Sequence, residues 1–223
     1  MNLWDPIRLS LLVAWLATAL VVLVGLPLAG HFARRRGPAS DLLASLVALP
    51  LVLPPTVVGF ALLYLLGRGS WLSRWSEAVF GEPVLFHWTA AVVASAVVAL
   101  PLFVESCRSA LERVPARQEN AARLLGASEV RVLWTVSLPL ARRGLLGGVV
   151  LAFCRALGEF GATLMVAGNI PGRTQTLPLA IYSAVYAGDT RAAQTLVAIV
   201  AAIGFAGTAA VYFWARKGAR HER

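Results

Sequence analysis

The sequence predicts an all-α fold, a polytopic transmembrane helical bundle of about five spans. Three observations predict it. Of the 223 residues, 58% are hydrophobic and only 14% charged, whereas a soluble domain carries about 25% charged residues to solvate its surface. Five stretches run for 22 to 27 residues with almost no charge, and a helix needs about 20 residues to cross a hydrocarbon core of roughly 30 Å. The basic residues, finally, collect in alternate gaps between those stretches, as they do where they fix membrane orientation. Barrel strands would instead alternate apolar and polar residues over about ten positions.

The runs are Leu9–Gly30, Leu42–Gly67, Pro83–Val104, Gly144–Ile170 (broken only by Arg155 and Glu159) and Ala192–Ala215. They give spans at about 9–30, 42–67, 85–107, 144–168 and 192–214 of a single domain, residues 1–223. The first run exceeds a signal-peptide apolar region, and its basic cluster follows it, so it reads as a retained span. In the second, Pro50, Pro54 and Pro55 remove backbone donors and leave carbonyls unpaired. Such a helix either kinks for packing or bends to line a water-filled path. In the fourth, Gly144, Gly148, Ala152 and Ala156 recur every four residues, a small stripe suited to close helix contact. Cys107 and Cys154 read as buried small hydrophobes.

Orientation follows from the arginines. Arg34–Arg36, seven arginines between Arg108 and Arg143, and the tail with Arg216, Lys217, Arg220 and Arg223 hold 14 of the 20 basic residues. Placing that side in the cytoplasm puts the N-terminus outside and the C-terminus inside. The net charge of +9 is then an orientation signal, and no nucleic-acid face is expected. Lys217, the one lysine, is followed by Gly218 and Ala219, so the chain lacks a phosphate-binding Gly-Lys-Ser/Thr loop. His31, His87 and His221 are scattered, and no catalytic or metal-ligand spacing appears. The expectation is a non-enzyme with no cofactor or metal of its own, driven by a partner or an ion gradient. With nine residues after Trp214, any regulatory domain is expected on a partner.

The sharpest local signal is the loop 115–143, within VPARQENAARLLGASEVRVLWTVSLPLARRG (114–144). Pro115 opens a helix, and Glu119 suits the positive end of its dipole. Ala121 and Ala122 leave a closely approachable face, and Gly126 bends the chain. Ser128 caps a second helix from Glu129, with Val130, Leu133 and Trp134 as its apolar stripe, and Pro139 is expected to end it. The loop therefore reads as two short helices with a small-residue elbow, either an interfacial connector or a docking element.

The order Ala-Ala-x-x-x-Gly followed by Leu138-Pro139 resembles the cytoplasmic coupling loop of bacterial ABC importer permeases. The usual Glu directly before Ala-Ala is Asn120 here, with the acid at Glu119, a Glu-x-Ala-Ala-Arg pattern similar to the molybdate branch. LPLVLPPTVVGFALL (49–63), RALGEFGAT (155–163) and NIPGRTQTLPLAIY (169–182) extend the resemblance over nearly the whole chain. They narrow it to permeases of the molybdate, tungstate and sulfate group, with the short chain favouring molybdate. The resemblance implies an ABC importer permease fold of the molybdate type in the bacterial inner membrane. It implies a homodimer, a cytoplasmic ABC ATPase dimer holding ATP and Mg, and an extracytoplasmic oxyanion-binding protein. The coupling residues it implies are Glu119, Asn120, Ala121, Ala122, Gly126, Ala127 and Pro139. The alternatives are a sulfate/thiosulfate-type permease and a gradient-driven secondary transporter, for which no internal repeat is visible.

Candidates for the pathway or gate are Pro54, Pro55, Thr56, Arg155, Glu159, Thr163 and Asn169. Arg155 and Glu159 are four apart and share a helix face. Mid-span charges cost about 2.5–3.5 kcal/mol each or more unless paired or wet, so they form either a structural ion pair or a latch on the path. Thr163, Asn169, Thr174, Gln175 and Thr176 could hydrogen-bond an oxyanion or simply be solvated.

Overall fold

A computed structural model describes residues 3–35, 37–67, 69–70, 73–74, 77–78 and 83–219, except for the side chains of 211, 212 and 214–219. Arg36, Arg220, Arg223 and the side chains of Arg216 and Lys217, used above for orientation, lie outside this set. The described residues contain helices and no strand: α1 (Trp4–Arg34), α2 (Pro38–Val52), α3 (Pro55–Leu66), α4 (Trp88–Glu112), α5 (Ala116–Leu124) and α6 (Glu129–Val132) come first. A π-helical turn (Leu133–Ser137) leads into α7 (Leu138–Leu157), followed by α8 (Gly161–Ala167), α9 (Leu177–Tyr186) and α10 (Thr190–Ala219).

Among the described residues, four helical runs are long and apolar enough to cross a membrane: α1, α4, the continuous stretch Glu129–Leu157 and Thr190–Ala210. The run 42–67, expected as one span, is two helices bent by 116° at a break, and the pair taken together makes a fifth candidate span. Pro54 disfavours helical geometry at Leu53, which turns extended at φ −74° and ψ 140°. The Pro54 carbonyl is not left free, since it accepts the N–H groups of Val57 and Val58 at 2.8 and 3.2 Å. The run 144–168 also departs from expectation. Its helix begins upstream and ends at Leu157, and Gly158–Phe160 separate it from α8.

Small residues let the long helices approach. Ala14 and Ala17 of α1, Ala96 and Ala99 of α4, and Ala152 and Ala156 of α7 are buried in one cluster with Phe103 and Cys107. A Cβ on Gly25 would stand 2.6 Å from the Phe103 ring, and one on Gly148 would stand 3.2 Å from Cys107 Sγ. Gly144 faces Ala110. The four-residue stripe of α7 is therefore a packing seam against α4, as small residues make where no water drives helices together. A second cluster joins α3, α4 and α8 through Val58, Leu62, Ala94, Val98, Ala162 and Val166. The outside is apolar: α2 has no fully buried side chain, and Trp15, Leu23, Phe60, Tyr64 and Phe205 are exposed. A surface of this kind is stable against lipid or another apolar face, not against water.

Candidate functional site

The elbow between α4 and α7 is built from capping chemistry. Pro115 precedes α5 with extended geometry. At the far end the N–H of Gly126 bonds the Arg123 carbonyl at 2.9 Å, and the N–H of Ala127 bonds the Ala122 carbonyl at 3.1 Å. This is the pattern of a Schellman cap, whose closing residue takes positive φ. Gly126 has φ +84°, and a Cβ there would meet nothing within 4 Å. The glycine is needed for its backbone, not for space. Ser128 then caps α6, its Oγ accepting the Arg131 N–H at 3.4 Å.

Pro139 does not end this second helix, contrary to expectation. The chain stays helical from Glu129 to Leu157. Proline is tolerated in the first turn of a helix, and the backbone absorbs the missing donor by widening. The Leu138 N–H reaches back five residues to the Leu133 carbonyl, making a π turn.

Two arginines and two glutamates tie the elbow together. Arg123 donates to Glu129 through Nε (2.7 Å) and Nη2 (3.1 Å), and to Asn120 Oδ1 at 2.8 Å. Its Nη2 also approaches Glu119 Oε2 at 3.4 Å. The hydrogen bond and charge of Glu129 hold the Arg123 guanidinium pKa above its ordinary value. Glu119 is the better shielded carboxylate, its side chain 16% exposed. Its Oε1 accepts from Arg34 Nη2 at 3.2 Å and from the Ser137 hydroxyl, while Arg34 Nη2 also donates to Ser137 Oγ at 2.8 Å. Beyond this network Leu124 and Leu125, at 89% and 90% exposed, directly precede Gly126 and leave an apolar tip with nothing of this chain covering it. Ala121 is exposed and Ala122 half-buried.

A second cluster forms where the broken helices meet. Glu159 is not on the α7 helix face shared with Arg155. It lies just past the helix end, which Gly158 caps. One carboxylate oxygen pairs with Arg155 Nη1 at 2.8 Å, and the other accepts the Ala162 N–H at 2.8 Å, opening α8. Glu159 is buried and Arg155 is 30% exposed. Gly161 packs on the other break, its Cβ position 3.0 Å from Pro55 and 3.3 Å from the Thr56 N. Pro54, Pro55 and Thr56 are exposed, while Thr163 is fully buried with no hydrogen-bond partner for its Oγ1. Asn169 belongs elsewhere. Its amide donates to Ser183 Oγ at 2.9 Å and its oxygen accepts from Gln175 Nε2 at 2.9 Å. Thr174 Oγ1 accepts the Ile170 N–H at 3.1 Å, so these groups hold the loop to itself and to α9, whereas Thr176 Oγ1 is buried with no hydrogen-bond partner.

The family described as "Binding-protein-dependent transport system inner membrane component" matches residues 9–220. The chain belongs to that family. It is thus a multi-pass membrane protein and the membrane component of a transport system, not its catalytic subunit. It is 42% identical over 200 residues to the Molybdenum transport system permease protein ModB of Escherichia coli K12, across 89% of this chain and 87% of that one. It is 38% identical over 183 residues to the Sulfate transport system permease protein CysW of Synechococcus elongatus, across 82% and 64%. Among solved structures, an inward-facing MetNI methionine ABC transporter gives a TM-score of 0.69 at 20% identity, covering 95% of this chain and 97% of that one. The last likeness establishes the fold.

Within this family member, sequence reasoning missed Arg34, Arg123 and Ser137 as parts of the elbow. Arg34 was read for orientation alone, and it meets Glu119 across 85 positions of chain, a distance no local spacing reveals. Arg123 carried a readable signal, since it stands four residues after Glu119 on a helix.

Proposed function

We propose that this chain is the permease subunit of an ATP-driven importer and forms the membrane path for molybdate or tungstate by alternating access. The likeness to the E. coli molybdenum permease, end to end and above that to the sulfate permease, is the observation that carries the reading. Two copies pair around a central path, for which the exposed apolar face of α2 and α3 is available. Cytoplasmic ATPase subunits, holding ATP and Mg, dock on the two elbows through Leu124, Leu125 and the Ala121–Ala122 face. Glu119, Asn120, Gly126, Ala127 and Pro139 shape that docking element. A soluble oxyanion-binding protein delivers substrate on the other side.

The meeting of Arg34 with the elbow at one end of the bundle supports a common cytoplasmic side for the arginine-rich segments, hence an outside N-terminus. Arg155 and Glu159 act as a latch between the end of α7 and the start of α8 beside the path. Their pairing leaves no uncompensated positive charge, so passing anions bind weakly and leave readily.

Reconstitution into liposomes with the ATPase and binding protein tests this. Molybdate uptake that requires ATP, with tungstate competing and sulfate not, is expected. Uptake driven by an ion gradient without ATP, or uptake selective for sulfate, would overturn the proposal.

A further inference from the structure

We propose that Arg34 is a positioning residue for energy coupling: it clasps the elbow to the end of α1, so that displacement of the elbow moves α1 and α7 together. The inference rests on the importer reading above. Three segments share one carboxylate oxygen. Arg34 is the last residue of α1, Glu119 sits in the first turn of α5, and Ser137 closes the π turn that begins α7. Arg34 Nη2 donates to both Glu119 Oε1 (3.2 Å) and Ser137 Oγ (2.8 Å), and the Ser137 hydroxyl donates to that same Oε1.

The clasp matters because packing does not hold α5. That helix has no fully buried side chain, and Leu124 at its end and Leu125 just past it are exposed. Arg123, Asn120 and Glu129 bind the elbow to itself, all within residues 119–129. Arg34 is the basic partner, among the described residues, that enters the network from a different span. Its Nη1 also lies 3.9 Å from Glu129 Oε2, so one guanidinium touches both acids of the elbow. A planar fork with several donors suits such a junction, and lysine, a single point charge, does not reproduce it. The pair is also poised to open. The side chains of Arg34 and Glu119 are 26% and 16% exposed, dry enough to orient each other and wet enough to part without stranding a charge.

The test uses the complex in liposomes, with molybdate uptake and ATP hydrolysis measured in the same vesicles. Arg34→Gln is expected to lower uptake per ATP about tenfold, within the range of coupling between linked sites. Arg34→Lys should recover part of the ratio. Glu119→Gln should lower the ratio as well, and the losses should not multiply in the double variant, because both substitutions cut the Arg34–Glu119 link. A residue that merely supports folding would lower assembly and both rates together and leave the ratio alone. A ratio for Arg34→Gln within twofold of the wild type, or single losses that multiply in the double variant, would overturn the clasp. If the wild-type complex shows no ATP-dependent uptake, the importer reading fails instead. The clasp is then judged by a double-mutant cycle on thermal unfolding of the purified chain, where additive effects of the two substitutions refute it.

Discussion

Replacing Gly59 by alanine tests how closely the two broken helices must approach. Gly59 lies on α3 in the run after Pro54–Pro55, and its Cβ position is 2.8 Å from both Ala162 Cα and Met165 Cβ of α8. Both are atoms near or in the backbone, so no flexible tip can swing aside. Restoring ordinary contact at 3.4 Å requires α3 and α8 to part by about 0.6 Å. Overpacking of this kind costs roughly 1–3 kcal/mol, against a helix-propensity gain of about 0.5–1 kcal/mol for alanine over glycine. The net is a loss of about 1 kcal/mol or somewhat more. Gly204 on α10 provides the control, because a Cβ there meets nothing within 4 Å, and Gly204→Ala keeps only the propensity gain. The two variants should differ by about 2 kcal/mol, or about 4–8 °C in melting temperature for a chain of this size. Thermal unfolding of the purified protein in lipid nanodiscs reads this directly. A Gly59→Ala protein that melts at or above Gly204→Ala would refute the close contact between α3 and α8.

Three further outcomes follow from the geometry. At Gly126 the positive φ, not space, is the constraint, so Gly126→Asn should keep more ATP-coupled uptake than Gly126→Ala, and Gly126→Val least; left-handed geometry costs non-glycine residues roughly 1–2 kcal/mol and asparagine less. Ser128→Ala removes the cap of α6 and about 1 kcal/mol, which should speed amide exchange at Arg131 several-fold while leaving α10 unchanged. Glu159→Gln keeps an oxygen for the Ala162 N–H but loses the ion pair, whereas Glu159→Ala loses both and strands a buried donor at a further cost of about 1–3 kcal/mol. The alanine variant should therefore melt clearly below the glutamine variant, and equal melting temperatures would remove the carboxylate from the start of α8.

How much of this was legible from residues alone depends on the range of the interaction. The spans were visible because hydrocarbon length and apolar composition act on consecutive residues. The cap at Ser128 and the bend at Gly126 were visible because each needs only its own few neighbours. The Gly144–Ala156 stripe could be read as packing because lipid gives small residues one strong use. Breaks were harder. Pro54–Pro55 announced a bend but not its 116°. Glu159 looked like an i+4 partner on an unbroken helix, because nothing in Gly158–Glu159–Phe160 forbids helix continuation as proline does. The helix ends at Leu157 with Gly158 as its cap, and the Glu159 carboxylate takes the Ala162 N–H three residues on, a local bond that the i+4 spacing to Arg155 does not announce. Asn169 and Gln175 looked free to bind an anion because spacing cannot show that Ser183 already satisfies them.

Pro139 joins the local and the distant parts of the site. In an α-helix two residues five apart face directions about 140° different, which would turn Ser137 away from the side on which Val132 is buried. In the π turn Ser137 stands over Val132, its Oγ 3.4 Å from the Val132 carbonyl, and both are buried. The widened turn thus aims the Ser137 hydroxyl at Glu119, where Arg34 completes the junction. Proline has no N–H for either ladder, but in the narrower one its ring would clash with the Thr135 carbonyl four residues back, which disfavours the alternative geometry. A residue that looked like a stop signal keeps the helix running and fixes the register in which an arginine, 103 positions from Ser137, can reach it.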